Sequence, residues 1–203
     1  MKIKYLGVQD YCSTFKEMKQ TVLEGLAEDE LWILEHFPVY TIGVNKKNIR
    51  LPDSNIPIVE SDRGGKITYH GPGQLIIYTL INLNRYSLTI SKFVRLLEQS
   101  IIDFLIPFNI KGERRQDAPG VYIDSKKIAS VGLRIKNNQT YHGISINNSM
   151  NLHPFLDIDP CGFSDLEMIQ LRDLGISLEN KELADKIIRI FLNKLRPHET
   201  TRN

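Results

Sequence analysis

Residues 75–83 read LIIYTLINL, apolar nearly throughout. A strand with one wet face would place a polar residue at every second position, so this run is expected to be a strand covered on both faces. The sheet that contains it must then be flanked by helices. Other segments supply the parts. Thr14-Phe15-Lys16-Glu17 fits a capping box, and Phe15, Met18, Val22 and Leu26 follow at helical spacing. Phe93, Val94, Leu97, Ile101 and Leu105 mark a second helix, ended by Pro107, and residues 179–195 a third. Short strands are expected at 31–34, 39–42, 57–59, 120–123, 127–135 and 140–147, the last three joined as hairpins by brief polar turns. Strands and helices without regular βαβ alternation indicate an α+β (α/β) single domain with a mixed, largely antiparallel sheet.

The chain's 203 residues suffice to bury roughly 70% of the surface of the unfolded chain. Its 26 basic and 24 acidic residues nearly cancel, which argues against nucleic acid or a membrane surface as partner. No apolar run approaches the roughly 18 residues needed to span a bilayer, and the opening MKIKYLGVQDYCS lacks the apolar core of a signal peptide. Cys12 and Cys161 are the only cysteines and form no CxxC pair, so neither a disulfide framework nor a metal cluster is expected. These features lead to the expectation of a cytoplasmic protein, with one domain over 1–196 and a disordered tail at 197–203.

The segment RGGKITYHGPGQ, residues 63–74, holds four of the 13 glycines. It fits neither GxxxxGK[ST] nor GxGxxG followed by a helix, so both nucleotide-binding readings are weak. The spacing fits a pair of tight turns around a short strand. It fits equally well the wall of a site, because Arg63, Lys66, Thr68, Tyr69, His70 and Gln74 interleave with the glycines. In that case the glycines would let backbone approach a ligand closely.

In Asp159-Pro160-Cys161-Gly162-Phe163, Pro160 and Gly162 hold a cysteine in a turn. Ser164-Asp165-Leu166-Glu167 fits a second capping box, which predicts a helix N-terminus able to stabilise a thiolate, opposed by Asp159 and Asp165 unless they point away. Cys161 is otherwise a small buried cysteine, and Cys12 has no comparable setting. A reactive thiol needs a partner. His142 and His153 are candidates, but alternation along 127–133 sets Lys127 on the inward face with Ala129, Val131 and Leu133, whereas Lys126 points away. An inward lysine is either a working base or a strand-end side chain snorkelling to water.

The blocks RGGKITYHGPGQ, RRQDAPGVYIDSKKIASVGLRI, YHGISINNSMNL and DIDPCGF, preceded by GLAEDELWILEHFPVYTIG, together resemble the lipoyl/octanoyl transferases (the lipoate-protein ligase B family) over about residues 25–171. The resemblance implies the fold of biotin/lipoate protein ligase catalytic domains. It implies an acyltransferase that moves octanoyl from octanoyl-acyl carrier protein to a lysine of lipoyl domains, those of 2-oxoacid dehydrogenases and glycine cleavage H protein, without a cofactor. By the same resemblance Cys161 carries the acyl thioester and Lys127 tunes it. The substrate site would comprise Arg63, Gly64, Gly65 and Lys66; Ile67, Thr68, Tyr69 and His70; Ser130, Val131 and Gly132; and Gly143, Ile144 and Ser145. The alternatives are an ATP-dependent ligase on the same fold, a cysteine hydrolase, and a non-catalytic acyl- or protein-binding module.

Overall fold

The computed structural model describes residues 1–163 and 165–195, with Cys161 described by its backbone alone. The tail expected at 197–203 lies outside the described residues. In chain order the elements are β1 (Lys2–Gln9), α1 (Tyr11–Glu24), β2 (Glu30–His36), β3 (Val39–Ile42), β4 (Ile58–Glu60), β5 (Ile67–His70) and β6 (Gln74–Leu80). There follow α2 (Ile90–Leu105), β7 (Glu113–Arg114), β8 (Gly120–Ile123), β9 (Lys126–Lys136), β10 (Gln139–Asn147) and α3 (Asn180–Leu195).

The apolar run becomes β6, a central strand of a seven-stranded sheet ordered β1-β2-β6-β10-β9-β8-β7. All seven residues of β6 are buried. Leu75 and Ile77 face a core shared with α2 and α3, while Ile76, Tyr78 and Leu80 face a second core under α1. The strand stops at Leu80 because Asn82 caps a single 3₁₀ turn, its side chain accepting from the Asn84 N–H. A second sheet, ordered β4-β3-β5, carries its own small core of Tyr40, Ile42, Ile67, Tyr69, Met150, Phe155 and Ile158. β1 with β2 and β3 with β4 pair in parallel; the other ladders are antiparallel. The mixed, largely antiparallel sheet flanked by helices is thus observed.

Two helix starts differ from expectation. Helix α1 begins at Tyr11 with Asp10 as its cap, accepting from Ser13 N–H at 2.8 Å, so Thr14 lies inside the first turn and donates its hydroxyl to the Asp10 carbonyl. Such a cap contributes about 1 kcal/mol. The second capping box forms no helix. Ser164 lies outside the described residues, and 165–170 run without helix beside the start of β9. There Lys127 N–H donates to the Glu167 carbonyl (2.8 Å) and Ile169 N–H to the Lys127 carbonyl (3.0 Å). The Glu167 side chain pairs with Lys126 at 2.6 Å.

Among the described residues no helix is long and apolar enough to cross a membrane, and no group of three His, Cys, Asp or Glu side chains is placed to hold a metal ion.

Candidate active site

Between the two sheets lies a cavity of about 60 Å³, open to solvent at its mouth. The expected residues Arg63, Gly64, Gly65, Lys66, Ile67, Thr68 and His70 line one side of it. Ser130, Val131 and Gly132 on β9, with Gly143, Ile144 and Ser145 on β10, line the other. Lys127 and Pro160 are also in the wall, and Pro160 is the residue before Cys161. The Cys161 backbone sits in a 3₁₀ turn, Pro160–Gly162, rather than ahead of a helix. Asp159, expected to oppose a thiolate, pairs with Arg50 at 3.2 Å.

Tyr69 is the exception among the expected residues. It is buried on the far side of β5, against Tyr40 and edge-on to Phe155 with centroids 5.6 Å apart. The glycines around it also have a different use from the one expected. A Cβ on Gly71 would lie 2.3 Å from the Tyr69 hydroxyl oxygen, and one on Gly73 would lie 1.9 Å from the Ser149 carbonyl oxygen. Both therefore admit protein rather than ligand. The reading of 67–70 as a short strand between tight turns is correct, and its outer face still lines the cavity.

Lys127 is wholly buried. Its position differs from simple alternation, because the β8–β9 register shifts between Val121 and Tyr122. This bulge separates Lys127 from Ala129, which stays in the main core, and brings it beside Ser130 and Gly132 in the cavity wall. Gly120 opposite makes room for it, since a Cβ there would lie 2.6 Å from Lys127 Cε. The ammonium stands 5.3 Å from the Tyr122 ring centroid, a cation–π contact. Glu98 holds the neighbouring backbone, accepting from Gly120 N–H at 2.8 Å; burial pushes its carboxyl pKa up despite that bond and the nearby Arg114.

Tyr11, Ile76, Tyr78 and His142 also line the cavity. His142 was weighed in the sequence only as a cysteine partner; in the structure its Nε2 is taken by Asp62 at 3.0 Å. Burial opposes the Asp62 charge, but hydrogen bonds from His142, Tyr141 and Lys19 outweigh it and hold the carboxyl well below the usual range. His153 is exposed and lines a separate groove with Arg50. Arg63, almost buried, ties the loop to β3 through the Thr41 carbonyl (2.6 Å) and hydroxyl (2.8 Å). Deeper in, His36 donates from Nδ1 to the Gln9 carbonyl (3.0 Å) and accepts at Nε2 from the Tyr78 hydroxyl (2.7 Å). Burial lowers the pKa of His36 to about 4 and that of His70 to about 3, so both are neutral at physiological pH.

Comparison with known proteins agrees with this architecture. Residues 11–192 match the model of the lipoyl protein ligase A/B catalytic domain. The octanoyltransferase of Dechloromonas aromatica is 45% identical over 196 residues, covering 95% of this chain and 96% of that protein. That of Laribacter hongkongensis is 46% identical over 205 residues, covering 98% and 99%. Among solved structures, a putative lipoate protein ligase from T. acidophilum superposes with a TM-score of 0.78 at 12% identity, over 99% of this chain and 89% of that one. The biotin protein ligase of Aquifex aeolicus superposes at 0.59 and 14% identity, over 96% and 69%. The chain is an enzyme that belongs to the lipoyl protein ligase A/B catalytic-domain family.

Proposed function

We propose that this enzyme is an octanoyltransferase, moving an octanoyl group from octanoyl-acyl carrier protein to a lysine of lipoyl domains through a thioester on Cys161. The observation that carries the reading is the wholly buried Lys127 in the wall of a cavity that also includes Pro160, one residue before the cysteine. The relatives named octanoyltransferase supply the acyl group. The lipoyl domains of 2-oxoacid dehydrogenases and of glycine cleavage H protein are the acceptors this reading expects, and the cytoplasm is where it expects both partners.

The reaction balances on these two side chains. The Cys161 thiolate, paired with the Lys127 ammonium, attacks the donor's thioester carbon; the carrier thiolate leaves and takes a proton from Lys127. The acceptor lysine, as a neutral amine, then attacks the enzyme-bound thioester. A C–N bond forms, the C–S bond breaks, one amine proton passes to Lys127, and the thiolate is restored beside the ammonium. Energy for the amide comes from the thioester, so no nucleotide is consumed. The apolar chain lies against Ile76, Tyr78 and Ile144, where neutral histidines place no charge beside it.

Intact-mass measurement after mixing with octanoyl-acyl carrier protein tests this. A single octanoyl adduct, discharged by a lipoyl domain, is expected. Modification of the domain only from free acid and ATP would instead assign an ATP-dependent ligase, and release of free octanoate without an acceptor a hydrolase.

A further inference from the structure

A chain of buried hydrogen bonds fixes which nitrogen His70 presents to the cavity. It begins at the Ile169 backbone carbonyl, which can only accept, and which accepts from Asn147 Nδ2 at 3.1 Å. Asn147 Oδ1 must then be the acceptor for Gln74 Nε2, at 2.9 Å. Gln74 Oε1 is left to accept from His70 Nδ1, at 2.7 Å. Each amide orientation is dictated by the one before it, so Nδ1 carries the proton and Nε2 is bare.

The ring itself is held by Tyr11, stacked on it at 6.2 Å with planes 9° apart, and by His36 edge-on at 5.9 Å. Tyr11 is fixed in turn by its hydroxyl bond to Ser61 Oγ at 2.7 Å. His70 lines the cavity. Among the described residues the hydrogen bond of its ring is made by Nδ1, which leaves Nε2 as the nitrogen to meet a ligand in the cavity. His36, by contrast, has both nitrogens engaged.

The cavity therefore offers, at a fixed place, a neutral hydrogen-bond acceptor with no proton to give. A thioester carbonyl cannot use it, because a carbonyl only accepts. Of the reacting groups in the proposed transfer, the acceptor lysine's amine is the one that brings N–H bonds at the attack step. We infer that His70 Nε2 is the positioning acceptor for that incoming amine, holding one N–H while the nitrogen lone pair is turned to the acyl carbon. Because burial has made the imidazole a very weak base, it orients the amine and leaves proton removal to Lys127. The same hydrogen-bond chain reaches the backbone around Lys127, since Ile169 N–H donates to the Lys127 carbonyl; the orienting group and the base are thus tied to one frame.

This inference rests on the proposed transferase reading, and its test separates the two. Wild type, His70→Asn and His70→Gln would be loaded with octanoyl from octanoyl-acyl carrier protein, then mixed with a purified lipoyl domain in single turnover. Asparagine can keep a donor to Gln74 but removes the cavity acceptor; glutamine returns an oxygen near the Nε2 position. Transfer is expected to slow roughly 10- to 100-fold in His70→Asn and to recover in part in His70→Gln, with loading reduced by a smaller factor in both. Transfer at the wild-type rate in His70→Asn, or slowing confined to loading, overturns the inference, the second because it would place the carrier's arm at His70. Failure of wild type itself to load would instead sink the transferase reading. Should the asparagine variant not fold, the ¹⁵N imidazole spectrum of the wild-type protein decides: an unprotonated Nε2 at neutral pH is expected, and a protonated one overturns the assignment.

Discussion

On one side of the cavity, every residue of β10 from Gln139 to Asn147 is buried, and the strand is bonded to β6 on one edge and β9 on the other. On the facing side, 61–73 is a loop and a four-residue strand, held by Arg63 to Thr41, Tyr11 to Ser61, and Gly64 N–H to the Leu133 carbonyl at 2.9 Å. The first wall is bonded along both edges of its strand; the second has one short ladder, β5 with β3, and its loop depends on individual polar contacts. The pair proposed to react is set where the regular wall is interrupted, at the bulge that turns Lys127 into the cavity and at the turn carrying Cys161. Geometry that a plain alternating strand does not provide is thus available without giving up the core beneath it.

Two adjacent lysines should behave most differently. Lys126 is exposed and paired with Glu167, while Lys127 is buried in the cavity wall. Lys127→Met is expected to keep the fold and lower octanoyl transfer by roughly 10²- to 10⁴-fold, whereas Lys126→Met leaves the rate nearly unchanged. Steady-state rates and melting curves check both, and similar losses in the two would remove the special status of the bulge.

The polar-held wall is expected to be fragile to overpacking. Gly71→Val drives a side chain into the Tyr69 hydroxyl and should cost about 1–3 kcal/mol in urea unfolding. Lost transfer with unchanged stability would return Gly71 to the role of a ligand contact.

Acid should loosen the same region. His36 and His70 have folded pKa values of about 4 and about 3, below the ordinary value of 6.5. From pH 6.5 downward the unfolded chain takes up protons that the folded chain refuses, so stability falls as pH drops, and the loss is complete only below the folded values. Each histidine contributes a slope approaching about 1.4 kcal/mol per pH unit well inside that window. His36→Phe should flatten the profile between pH 6 and 5, and an unaltered slope contradicts the burial argument. A smaller effect is expected at Asp62. Its lowered folded pKa contributes stability that is present above the ordinary carboxylate range and is lost on acidification. Asp62→Asn should therefore melt slightly lower than wild type at pH 7, with the gap narrowing as pH falls through about 4. A gap that does not change with pH would assign the loss to packing.

Much of the regular wall was legible in the sequence. The strand at 75–83, the hairpin 127–147 and three helices follow from apolar periodicity, because each is decided by its own pattern of burial. What escaped is set by distant partners. Strand β1 is a half-exposed edge whose KIKYLGVQ carries no firm alternation, and without it the cap at Asp10 and the delivery of Tyr11 to the cavity could not be foreseen. The motif at 164–167 is locally a helix start, but a backbone ladder to Lys127 and the Lys126–Glu167 pair claim that segment instead. Tyr78 and His142 come from strands whose faces were readable, but convergence of those faces on one cavity depends on sheet order, and sheet order is not a local property.

The account stands or falls on where the acyl group sits. Octanoyl-loaded wild-type enzyme should be digested and mapped by mass spectrometry, with a matched sample first discharged by a lipoyl domain. The predicted result is octanoyl on the peptide containing Cys161, absent from the one containing Cys12, and gone after the lipoyl domain has been modified. Octanoyl on another residue, or a loaded Cys161 that the acceptor cannot discharge, would contradict it.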